Sequence, residues 1–136
     1  MNTMRLAVII ALVIISSCSA VALDLSGTWE STYDLGAVTE VMTAEIQQDG
    51  DTLLGSYTVV PSEGDEYYGI LHGTIDGDSI EAYYVVVVEA GGKIIPAAVT
   101  LTRSQIVDED NLEGTFTVIG GEMDGVSGPF EARRIR

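Results

Sequence analysis

One glycine-centred phrase returns five times in this chain and limits what the chain can fold into. It reads apolar, any, glycine, small, large. It stands at Leu25-Ser26-Gly27-Thr28-Trp29, Leu53-Leu54-Gly55-Ser56-Tyr57, Leu71-His72-Gly73-Thr74-Ile75, Leu112-Glu113-Gly114-Thr115-Phe116 and Val126-Ser127-Gly128-Pro129-Phe130. Alternate residues of a strand share a face, so each glycine lies on the face of two apolar neighbours. Glycine on a concave face lets a strand bend sharply, and closing a barrel requires such bends. The phrases Asp51-Thr52-Leu53, Asp78-Ser79-Ile80 and Asp110-Asn111-Leu112 also match, so the repeating unit is a hairpin.

No stretch beyond Leu23 sustains an apolar period of 3.6 residues. Turn chemistry instead interrupts β-rich segments about every 8 to 15 residues. Eight strands are expected, over 25–34, 40–48, 52–60, 67–75, 79–88, 94–102, 112–119 and 128–135. Residues 104–111 read as an acidic loop, and Pro96 marks a bulge or a weakly paired stretch. The fold class is therefore all-β: an eight-stranded antiparallel up-and-down barrel, with a β-sandwich as the alternative. Closure removes the two exposed edges that a flat sheet would leave.

The first residues have another purpose. Met1 to Arg5 is short and basic, Leu6 to Ile15 is unbroken apolar, and Ala20-Val21-Ala22 is a small-residue cleavage site. Together they form a secretory signal peptide over 1–22, which leaves one domain over 23–136. Ile15-Ser16-Ser17-Cys18 also resembles a lipobox, in which Cys18 would carry lipid and begin the mature chain. Both readings place the protein outside the cytoplasm, secreted or on the cell surface or envelope. Membrane attachment follows only from lipid at Cys18.

Lys and Arg total 6 against 21 Asp and Glu, a net charge of −15. Such a surface repels nucleic-acid phosphates and anionic headgroups. Cys18 is the one cysteine, so the domain has no internal disulfide. His72, the one histidine, is out of phase with Leu71 and Ile75 and faces solvent. No catalytic residues, metal ligands or cofactor site are assigned. The Asp-Gly-Asp sequences at 49–51 and 76–78 read as hairpin turns before they read as calcium ligands. No carboxylate is read on an apolar face, where burial would raise its pKa.

Three segments resemble the calycins, the avidin and lipocalin type of barrel. Leu25 to Trp29 resembles their Gly-x-Trp motif on the first strand. Residues 49–58 resemble the hairpin between the second and third strands of avidin-like proteins, and Leu71-His72-Gly73-Thr74 resembles their Leu-x-Gly segment. The resemblance implies an exported barrel with a late-strand arginine over the first-strand tryptophan. Here those residues are Arg134, in phase with Phe130 and Ala132, and Trp29. Avidins wall their biotin pocket with several tryptophans. This chain has Trp29 alone, so biotin binding is not carried over.

The expected function is binding of a neutral, mostly apolar small molecule. The alternative is a filled barrel acting as a structural or interaction protein of the cell surface. Enzymatic activity ranks below both. Strand phase turns Tyr33, Tyr57 and Tyr84 inward, with Ser31, an ordered water or a ligand oxygen as the expected partners for their hydroxyls. The small inward residues Gly27, Ser31, Gly55, Gly73, Ala82 and Gly114 are expected to leave room for a ligand. Tyr83, Val85 and Val87 point outward as an apolar stripe, the expected interface of a homo-oligomer.

Overall fold

A computed structural model describes residues 23–135. The expected signal peptide and Cys18 lie outside the described residues. Eight strands follow one another: β1 (Gly27–Asp34), β2 (Thr39–Asp49), β3 (Thr52–Pro61), β4 (Tyr67–Asp76), β5 (Ser79–Ala90), β6 (Lys93–Asp108), β7 (Asn111–Ile119) and β8 (Ser127–Ile135). Each pairs antiparallel with the next, and β1 pairs with β8, so the sheet closes into an up-and-down barrel.

Turn chemistry sets the register. The β2–β3 and β4–β5 hairpins each turn through one left-handed glycine, Gly50 and Gly77, both at φ 60°. A left-handed first central residue suits a tight turn that follows the natural strand twist. The β5–β6 hairpin uses Gly91 and Gly92 together, both left-handed.

Residues 104–111 are not a loop. β6 runs on to Asp108, because Ser104 continues the inward phase and is buried, and the Ile106 amide donates to the Asp78 carbonyl at 2.7 Å. The turn shrinks to Glu109 and Asp110. There the Asp108 carboxylate accepts from the Asp110 amide and the Asn111 side chain, both at 2.8 Å. The bulge expected at Pro96 is present. Val86 pairs with Ala98 and Val87 with Pro96, which leaves Ala97 as the extra residue.

The β2–β3, β4–β5 and β6–β7 turns gather at one end with Leu25, and that end is plugged. Leu25, Trp29, Ile46, Leu53, Leu71, Ile80 and Leu112 are all buried there. The inward glycines do not open space, contrary to expectation. A Cβ on Gly55 would overlap the Glu45 carbonyl, and one on Gly114 would overlap the Arg103 carbonyl and lie 2.5 Å from the Ser104 Cα. Neighbouring backbone takes the place of those side chains, which is how the strands coil tightly enough to close.

Candidate functional site

The other end of the barrel is open. Its rim consists of the β1–β2, β3–β4, β5–β6 and β7–β8 connections. Two linked spaces lie there. The outer one is a mouth of about 210 Å³ between Tyr33, Leu35, Tyr67, Val86, Ala98, Val118 and Met123. The inner one is a chamber of about 20 Å³ that shares Tyr33, Tyr67, Val86 and Thr100 with the mouth and is also lined by Tyr57, Tyr84, Phe116 and Phe130. The chamber has room for about one water.

Strand phase explains the lining. Tyr33 is the last inward residue of β1 and packs on Phe116, ring centroids 5.3 Å apart. Tyr57 and Tyr84 meet edge to face at 5.4 Å, a favoured arrangement of aromatic quadrupoles. Gly69 makes room for Tyr57: a Cβ there would lie 2.5 Å from the Tyr57 hydroxyl and overlap the Val85 carbonyl. Burial pushes the Tyr84 phenol up to about 12, opposed by a hydrogen bond with Thr102. Burial raises Tyr57 as well, reinforced by neighbouring Tyr33 and Tyr84.

Ser31 is buried but apart from this chamber. Its hydroxyl donates to the Glu131 carbonyl across the β1–β8 seam, so it does not serve the tyrosines.

Sequence reasoning missed the residue at the centre of the mouth. Glu40 is only 5% exposed, although it is a carboxylate. It sits opposite Tyr33 in the β1–β2 register. Tyr33 donates to Glu40 Oε2 at 3.3 Å, and Tyr67 donates to the same oxygen. Both phenols are raised, chiefly by burial. The Glu40 charge adds to the effect at Tyr33, and the hydrogen bond to Glu40 adds to it at Tyr67. The expectation that no carboxylate lies on an apolar face is therefore corrected. The signal was in the pattern: Glu40 is in phase with inward Met42, Ala44 and Ile46, and Tyr67 with Leu71 and Ile75. The expectation of a neutral ligand rested on apolar walls and convergent tyrosine hydroxyls, and Glu40 adds a buried carboxylate to them.

At the plugged end the Arg134 guanidinium lies over the Trp29 ring, 4.9 Å from its centroid. Arg133 is exposed, as is His72. On the outer wall Tyr83 is exposed and Val85 and Val87 are half-buried. Across the β4–β5 ladder they pair with His72, Ile70 and Tyr68, and Tyr68 and Ile70 are also exposed. No protein family, curated protein or solved structure matches the chain.

Proposed function

We propose that this chain is an exported, calycin-type barrel that binds one compact, mostly apolar molecule at its open end, without catalysis. One observation carries the reading: an apolar-walled mouth of about 210 Å³ with the Tyr33 and Tyr67 hydroxyls and the Glu40 carboxylate converging at its base. Apolar walls with a few convergent polar groups are the usual composition of a small-molecule site. The volume falls below the roughly 300–1,000 Å³ common for drug-sized ligands, so the molecule is small. The calycin part rests on the closed eight-strand order together with the Leu25 to Trp29 and 49–58 resemblances.

Native mass spectrometry of protein purified from its source tests the reading. A retained small molecule, lost when the mouth is blocked by Ala98→Trp, is the expected result. An unliganded mass, together with no uptake of small apolar probes, leaves the alternative of a filled barrel at the cell surface. The nearly filled inner chamber is the observation that favours this alternative. Export is tested by intact mass. The exported chain should begin at Leu23 or at a lipid-bearing Cys18, and a retained Met1 overturns both.

A further inference from the structure

We infer that the mouth selects a compact apolar amine, whose ammonium group pairs with Glu40. The inference rests on the proposed binding role of the same mouth and names the chemical class of its ligand.

Burying an ionised carboxylate is costly unless it is paired and hydrogen-bonded. Glu40 has half of that arrangement. Two phenols meet its Oε2. Among the described residues Oε1 has no hydrogen-bond partner, and no partnerless side-chain oxygen is sealed from solvent. Oε1 therefore opens on the mouth that Glu40 lines.

No cation of the chain is placed to pair with it among the described residues. Arg134 closes the opposite end, Arg103 is bonded to Glu81 on the outer wall, Arg133 is exposed there, and Lys93, on the β5–β6 hairpin of the same rim, is exposed, does not line the mouth and forms no ion pair with Glu40. The bound molecule has to bring the positive charge.

The surroundings favour that charge at each step of approach. Glu122 is a second carboxylate on the mouth. The net charge of −15 concentrates cations and repels anions. The rings of Tyr33 and Tyr67 line the space beside Oε1, and aromatic rings attract ammonium groups. Leu35, Val86, Ala98, Val118 and Met123 accept an apolar body. An ammonium supplies donors to Oε1, which two phenols on Oε2 leave free to accept. A carboxylate or phosphate ligand meets Glu40 and Glu122 as like charges.

Isothermal titration with benzylamine, benzyl alcohol and benzoate, similar in size and differing in charge, tests this on the purified protein. Benzylamine should bind at least tenfold more tightly than benzyl alcohol, and benzoate should not bind. Glu40→Gln keeps the shape and both phenol bonds but removes the charge. It should lower benzylamine affinity at least tenfold and bring it to within about twofold of benzyl alcohol in the same variant, with unchanged near-ultraviolet circular dichroism reporting an intact fold. If Glu40→Gln does not fold, the ranking in the unmodified protein still decides. Benzyl alcohol binding as tightly as benzylamine, or an amine preference that survives Glu40→Gln, overturns the amine assignment and leaves the binding barrel standing. If none of the three probes binds at millimolar concentration, both readings fall.

Discussion

Arg134 and Trp29 are direct register partners across the β1–β8 seam, and the Arg134 guanidinium carbon lies 4.9 Å from the Trp29 ring centroid. The contact holds the seam where the first and last strands meet. The indole Nε1 donates to the Leu25 carbonyl at 2.9 Å. The guanidinium donates to the carbonyls of Ser26 at 2.5 Å, Asp24 at 2.8 Å and Glu109 at 2.7 Å, and pairs with Asp110 at 3.3 Å. One side chain thus ties the segment before β1, the β6–β7 turn and β8 together.

Removing that side chain should be costly. The cation–π contact contributes roughly 0.5–2 kcal/mol, and carbonyls left unpaired add to the loss. Arg134→Ala should lower unfolding free energy by about 2–4 kcal/mol in urea titration. Arg134→Lys should recover less than half, because an ammonium cannot reach several carbonyls in one plane. Arg133→Ala, on the exposed side, should stay within about 0.5 kcal/mol.

Gly114 should not tolerate a side chain. A Cβ there meets the Arg103 backbone rather than a movable side chain. Gly114→Ala should cost about 1–3 kcal/mol or more, as overpacking does, while exposed Glu113→Ala should be near neutral. Thermal melts of the two variants side by side would show the difference.

Alkaline pH should unfold the barrel through its phenols. Burial raises Tyr33, Tyr57, Tyr67 and Tyr84 above the ordinary value of 10.0, Tyr84 to about 12. Above pH 10 the unfolded chain releases phenol protons that the folded chain retains, so folding stability falls as pH rises. The loss from Tyr84 begins near pH 10 and is complete above about pH 12, at about 3 kcal/mol. Tyrosinate absorbance should therefore rise together with loss of the near-ultraviolet circular dichroism. Full ionisation of these phenols in a chain that stays folded would contradict their burial.

The outer wall of β3 to β6 should join two copies. Ile70 is 57% exposed and Tyr68 52%, beside Tyr83, Val85 and Val87. The neighbouring outward positions Leu54, Ser56, Thr58, Val60, Tyr68, Ile70, His72, Tyr83, Val85, Val87, Val99 and Leu101 carry no Asp, Glu, Lys or Arg, and the Glu81–Arg103 ion pair borders them. On a chain of net charge −15 such a patch is where a second copy meets least repulsion, and one patch can pair with itself about a two-fold axis. Light scattering should give a dimer that becomes a monomer in Val85→Lys with Val87→Lys. A monomeric unmodified protein would remove the idea.

Much of this architecture is legible in the chain because strand periodicity is local. Two-residue alternation places Trp29, Tyr57, Tyr84 and Phe130 on the inner face, and Gly50 and Gly77 mark their turns without any tertiary information. The same alternation already carried Glu40 and Tyr67 to the interior. Glu40 escaped notice because a carboxylate at a strand's start reads as solvated until its partners are known, and Tyr67 lies 27 residues away in sequence.

Which end is plugged, and how much space remains, are decided only in three dimensions. Alternation shows that a glycine faces inward but not what lies opposite it. Gly55 and Gly114 read as open space along the strand, yet closure brings the Glu45 and Arg103 carbonyls into their places. Convergence is non-local in the same way: Tyr33, Glu40 and Tyr67 come from three strands, and barrel curvature brings both phenols to one oxygen. The sequence by itself determined the succession of strands and their inward phase, because these follow from local period and turns; the tryptophan–arginine seam was implied by the resemblance and made by the closure of β1 on β8. Tertiary structure decided the volume of the interior and the charge at its mouth, because both depend on distances between strands that the linear order does not encode.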